Sequence, residues 1–260
     1  MEFWNNTSRN DINCNPIIPM VRRDFIGISA LGMIGVSLSS FSMLQSEFSK
    51  DDLMGKSNPL LFGDGYKLRK DAYEAFLKMK TEALKSGFKI KVVSSYRNYA
   101  HQNRIWERKY KKFTTEGLSP IKAIQKIIEY STIPGTSRHH WGTDLDIVDG
   151  NAPQPKGLLL AENFEGDGPF CKFKEWIDKH ANSFGFYLVY TDKENRKGFK
   201  YEPWHYSYAP LSIPMLKAYQ KLDIATELKK ANLLGSNFFS EDFIKQYITE
   251  NISDINPELL

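Results

Sequence analysis

Cysteine is scarce. Cys14 and Cys171 are the two cysteines in a chain of 260 residues, too few for a disulfide scaffold or a Cys-rich zinc module. Histidine is nearly as rare. The five are His101, His139, His140, His180 and His205, so an imidazole-based metal site must draw on this short list. No excess of one charge exists: 35 Lys and Arg face 31 Asp and Glu, for a net charge of +4. No Lys/Arg-rich run and no recognition motif interrupts that balance, which excludes nucleic-acid binding as the function class. What is abundant is bulky apolar residues, with 41% hydrophobic and 13% aromatic content. Intrinsic disorder is thereby excluded, because such a chain can bury enough surface to offset ordering entropy. No internal repeat or low-complexity tract is present.

The N-terminal residues 1–45 read as an address. Arg22-Arg23 precedes a run from Phe25 to Ser46 without a charged residue, apolar but diluted by Gly and Ser. A basic pair ahead of such a run is the layout of an export signal, and the adjacent arginines resemble the twin-arginine type. The flanking Val21 and Gly27 fit that pattern loosely. The run also has the length to cross a bilayer, about 20 residues. Residues 25–44 are therefore expected to be either a cleaved signal or a membrane anchor, with the body of the protein exported to the periplasm or cell envelope. Met20, two residues before the pair, is a candidate alternative start.

The rest of the chain alternates helix and strand signals. Apolar residues at helical spacing predict helices over 67–86, 98–111, 119–130, 170–184 and 212–231, with a further amphipathic helix in the tail after Asn237. Runs rich in β-branched and aromatic residues predict strands at 89–94, 145–148, 186–190 and 200–208, the last two as a hairpin. The fold class expected is α+β, a small, mostly antiparallel sheet flanked by helices. One domain is expected over 46–231, with 232–260 as a helical tail packing on it.

Chemistry concentrates in two short segments, Ser137-Arg138-His139-His140-Trp141-Gly142-Thr143-Asp144-Leu145-Asp146 and Tyr201-Glu202-Pro203-Trp204-His205. They hold three of the five histidines and several carboxylates, the donor types that suit zinc. Taken singly, each residue has an ordinary reading as a loop acid, a surface imidazole or a core aromatic. Together they supply a ligand pair, a third ligand and a base.

Ser-x-His-x-x-Gly-x-x-x-Asp followed far downstream by Glu-x-x-His resembles the signature of zinc D-alanyl-D-alanine carboxypeptidases of the VanY type. These belong to a superfamily with lysostaphin-type peptidases and the hedgehog signalling domain. Here the residues are Ser137, His139, Gly142 and Asp146, then Glu202 and His205. A third element of the pattern, Ser-x-Tyr-Arg with a Gln downstream, is present as Ser94-Ser95-Tyr96-Arg97 and Gln102. The resemblance runs from about Ala72 to Tyr208. There are two departures from it. Asp144 stands where a small residue is usual, which bears on the charge around the pocket, and Ser95 stands where a Gly is often found.

The resemblance implies a hedgehog/DD-peptidase-like fold and one Zn²⁺ held by His139, Asp146 and His205. His140 is the rival ligand, set aside because only His139 has the family spacing. Glu202 is implied as general base and Arg97 as the holder of the carbonyl oxygen. Ser137 is placed near the substrate's terminal carboxylate, and Gln102 at the peptide. Pro203 argues against a helix between Glu202 and His205, so a bend is required there if both are to face one metal. Trp141 and Trp204 are assigned either to the pocket wall or to the core. The implied substrate is a peptidoglycan stem peptide ending in D-Ala. Alternatives are an L,D-carboxypeptidase, an endopeptidase with the same zinc site, and a zinc-containing binding module without hydrolytic activity.

Overall fold

The computed structural model describes residues 48–260. The expected leader over 1–45, its candidate start at Met20 and the membrane anchoring through residues 25–44 lie outside the described residues.

The chain enters through a single turn, α1 (Lys50–Leu53), capped by Ser49, whose hydroxyl accepts the Asp52 N–H. The next helix, α2 (Lys70–Lys85), buries Ala72, Phe76, Met79 and Ala83, a stripe at steps of three and four that lies on one helical face. It leads to strand β1 (Ile90–Ser94). Helix α3 (Tyr99–Thr115) starts at Asn98, whose side chain accepts the His101 N–H, and buries Gln102, Trp106 and Tyr110. Helix α4 (Pro120–Ile127) opens on Ser119 with proline in its first turn, where the missing N–H costs nothing.

Strand β2 (Asp144–Asp149) follows, buried at every position. Helix α5 (Cys171–His180) continues into a tighter turn over Ala181–Phe184. Strands β3 (Phe186–Leu188) and β4 (His205–Tyr208) come next. The stretch expected as one helix over 212–231 is two, α6 (Ala209–Tyr219) and α7 (Ile224–Lys230). Asp223 makes the break, because its side chain caps α7 by accepting the Thr226 N–H. Helix α8 (Glu241–Tyr247) and a wider turn over Ile248–Ile252 lead to the C-terminus. Among the described residues, no helix is long and apolar enough to cross a membrane.

All strand pairs are antiparallel, in the order β1-β2-β4-β3. The fold is thus α+β, as the sequence predicts. One side of the sheet packs on α2 and α5 through Phe76, Met79, Leu145, Ile147, Ile177 and Tyr206. A second apolar cluster joins α3, α4, α6, α7 and α8 through residues such as Trp106, Ile127, Leu216, Leu228 and Tyr247. The segment after 232 shares that cluster, and the Tyr247 hydroxyl accepts the Ile133 N–H at 3.0 Å. The two clusters leave the other side of the sheet facing a cavity.

Candidate functional site

The site begins with the period of two in a β-strand. Along β2, Leu145 and Ile147 face the core under α2, so Asp144 and Asp146 face the opposite side. Across the ladder Asp146 pairs with His205 and Asp144 with Ser207. These four polar side chains therefore share one sheet face, and all are buried.

His139 reaches them from a 3₁₀ turn over Arg138–Trp141 that ends on Gly142 in the left-handed region, at φ 69°. A Cβ at Gly142 would also meet a Leu61 side-chain atom at 2.9 Å. Glycine is therefore required where the turn reverses into β2. Successive residues of such a turn point about 120° apart, so adjacent histidines part company. His139 Nδ1 donates to the Ser95 carbonyl at 2.8 Å, and Nε2 lies 3.4 Å from Asp146 Oδ2. His140 points away into the protein. Its Nε2 accepts the Gly135 N–H at 3.1 Å, so Nδ1 carries the proton and donates to the Arg97 carbonyl. Burial pushes its pKa down to about 3. Both ring nitrogens of His140 are thus occupied by backbone groups, while His139 Nε2 faces Asp146.

Glu202 comes in through the bend at Pro203. The segment expected as strand from Lys200 is strand only from His205. The His205 N–H donates back to the Glu202 carbonyl at 3.0 Å, closing a β-turn over Glu202–His205 with proline at its favoured second position. That turn sets Glu202 Oε2 2.9 Å from His205 Nδ1. Burial raises the Glu202 pKa. Burial also opposes a charge on His205, but the bonds to Asp144 and Glu202, with Asp146 nearby, outweigh it and push its pKa up to about 10.

His139, Asp146 and His205 offer ligand atoms that all lie within 4.8 Å of one another. Tetrahedral ligands at metal–ligand distances near 2.0–2.1 Å are about 3.4 Å apart, close to the 3.4 Å and 3.8 Å separating Asp146 oxygens from the two imidazoles. Asp146 Oδ1 is buried without a hydrogen-bond partner among the described residues. Asp146 thus turns its orphaned Oδ1 to His205 Nδ1 and its Oδ2 to His139 Nε2, and a carboxylate flanked by two imidazoles fits a divalent cation.

The three residues line a cavity of about 460 Å³ together with Glu202, Arg97, Ser137 and Gln102. Arg97 donates through Nη1 to Ser94 Oγ at 3.1 Å, while its Nε has no partner among the described residues. The Ser137 hydroxyl is buried and has no partner among the described residues. Gln102 donates to the Thr132 carbonyl at 2.9 Å and leaves its Oε1 unpaired. Trp204 lines the cavity. Trp141 does not: it is core, its indole N–H donating to the Leu53 carbonyl at 3.1 Å and its ring lying 5.9 Å from Tyr219. All the candidate site residues therefore meet at one cavity.

Sequence reasoning missed Arg138, Ser207 and the part played by Asp144, which is no ordinary loop acid. Its Oδ2 lies 2.9 Å from His205 Nε2 and 3.0 Å from Arg138 Nε. The signal was available for Asp144, since a residue two before a strand ligand shares that ligand's face.

A family model described as VanY, D-alanyl-D-alanine carboxypeptidase, matches residues 65–211. A putative carboxypeptidase, YodJ, of Bacillus subtilis strain 168 is 31% identical over 144 residues, which is 54% of this chain and 46% of the relative. A D-alanyl-D-alanine carboxypeptidase of Enterococcus faecalis is 30% identical over 118 residues, 45% of this chain and 39% of the relative. The matches thus span less than half the length of these two curated relatives. Among solved structures, VanYB in complex with D-alanine-D-alanine aligns with a TM-score of 0.49 at 22% identity, covering 68% of this chain and 92% of that one.

Proposed function

The chain belongs to the VanY family of D-alanyl-D-alanine carboxypeptidases, and from that premise we propose that it is a zinc-dependent carboxypeptidase releasing the terminal D-alanine of peptidoglycan stem peptides. The observation that carries this reading is the convergence of His139, Asp146 and His205 beside a buried carboxylate, Glu202, at the wall of one cavity. A site built only for structure has no use for that extra carboxylate.

His139, Asp146 and His205 would hold the zinc, which would supply Lewis acidity at the scissile carbonyl and make water a better nucleophile near neutral pH. Glu202 accepts a proton as water adds to the scissile carbonyl carbon, and returns it to the amine nitrogen as the C–N bond breaks. The products are free D-alanine and a peptide shortened by one residue. Burial holds the Glu202 pKa above the usual carboxylate value, which suits a group that must both take and give a proton. Arg97 holds the carbonyl oxygen as negative charge develops, a role that suits a permanent cation with an unpartnered Nε. Ser137 offers its free hydroxyl to the terminal carboxylate, and Gln102 its free amide oxygen to a peptide N–H. A cell-wall substrate requires export, the task assigned to residues 25–44.

The test is to incubate the purified protein with cell-wall pentapeptide and tetrapeptide, with and without chelator, and to identify products by mass. Loss of one D-alanine from the pentapeptide, abolished by chelator and in Glu202→Ala, is the expected result. Cleavage of the tetrapeptide alone assigns L,D-specificity. An internal cut assigns endopeptidase action. Zinc uptake with no cleavage of either peptide replaces the enzyme by a binding module.

A further inference from the structure

We propose that Asp144 is a positioning residue for the metal centre: it accepts a hydrogen bond from His205 Nε2–H and thereby leaves Nδ1 for the ion, with Arg138 as the counter-charge that keeps Asp144 in place. The inference rests on the reading of His205 as a metal ligand.

The argument is one of hydrogen-bond accounting. Asp144 is fully buried, so each of its lone pairs must be met within the protein. Its Oδ1 accepts the Thr143 hydroxyl at 2.6 Å and the Ser207 hydroxyl at 2.7 Å. Its Oδ2 accepts Arg138 Nε at 3.0 Å. Ser207 Oγ itself accepts from Arg138 Nη2 at 2.7 Å, so its single proton is free for Asp144. A carboxylate already taking three donors and paired with a buried guanidinium is an acceptor toward its fourth neighbour, His205 Nε2, 2.9 Å away. The N–H at Nε2 is therefore held by Asp144, and the nitrogen left for an ion is Nδ1, which lies 3.8 Å from Asp146 Oδ1 and 2.9 Å from Glu202 Oε2. Hydrogen bonding at the far ring nitrogen is the general means of fixing both tautomer and ring orientation in a metal-ligating histidine.

The sheet builds this arrangement in. Asp144 and Ser207 are cross-strand partners two residues along from the Asp146–His205 pair. Arg138 immediately precedes His139 in the 3₁₀ turn, and its guanidinium carbon lies 4.7 Å from the Trp141 ring centroid. One turn thus delivers a ligand and the cation that stabilises the support of another ligand. The rival explanation is a plain buried ion pair tying the turn to β2. That explanation predicts a cost in stability alone.

Asp144→Asn is the discriminating variant because it preserves volume. Zinc affinity is measured by competition with a chromophoric chelator, alongside the visible spectrum of the cobalt-substituted protein and melting in excess chelator. A positioning role predicts zinc affinity about 10–100-fold weaker and an altered cobalt spectrum, both beyond what the melting shift accounts for. Arg138→Met, which leaves Asp144 in place without its counter-charge, is expected to weaken zinc by a smaller factor in the same direction. Asp144→Asn with wild-type zinc affinity and an unchanged cobalt spectrum overturns the proposal, whatever its melting temperature. If the wild-type protein itself takes up no zinc, the metal-site reading falls and this one with it, and the wild-type control tells that failure apart.

Discussion

Along β2, Asp144 and Asp146 project to one side of the sheet and Leu145 and Ile147 to the other, and all four are buried. The apolar side gains from burial in proportion to area and asks only for shape. The polar side incurs a desolvation cost at every charge and is tolerable only where partners are supplied. Asp144 has its full set in Arg138, Thr143, Ser207 and His205. Asp146 is left with an oxygen unpaired. Two acids on one strand face thus differ in kind: one is fully bonded within the protein, and the other keeps an oxygen open beside the cavity.

The comparison can be broken most severely from the polar side. Chelation, or Asp146→Ala, is expected to reduce hydrolysis of the pentapeptide below detection, with zinc content falling in parallel by elemental analysis. Glu202→Gln is expected to keep the metal and lose about 10²–10⁴ in kcat, equivalent to about 2.7–5.5 kcal/mol of barrier. A Glu202→Gln enzyme with wild-type turnover would show that another group moves the proton. From the apolar side, Ile147→Ala should lower unfolding free energy by about 2–5 kcal/mol, read by denaturant titration, while turnover per folded molecule stays at the wild-type value. A large loss of turnover there would mean that the two faces are not separable. The smallest effect belongs to Asn98→Ala, which removes the cap of α3. About 1 kcal/mol of stability is expected to go, seen as a modest fall in melting temperature with KM unchanged.

Much of the fold is legible along the chain because its signals are local. The stripe Ala72, Phe76, Met79, Ala83 marks α2, and Ser119-Pro120 marks the start of α4. The break between α6 and α7 is less visible, because apolar spacing continues across it and only the cap at Asp223 reveals it. From Lys200 to Trp204 aromatic content suggests β structure, but Pro203 makes a turn there and the strand starts at His205. Trp204 and Trp141 illustrate a further limit. Their composition is identical and their settings opposite, one at the cavity and one in the core.

The sequence by itself determined which chemical groups are available and at what spacing: few histidines, acids two apart in a strand, a glycine where a turn must reverse, a proline before a required bend. Those are properties of covalent geometry and local backbone preference, and they travel with the chain. Only the tertiary structure decided that His139 rather than His140 faces Asp146, that Glu202 turns back onto His205, and that Asp144 bonds to the far side of the same imidazole. Each of those outcomes depends on which segments become neighbours and on where buried hydrogen bonds are satisfied, and neither is a local property of the residues concerned.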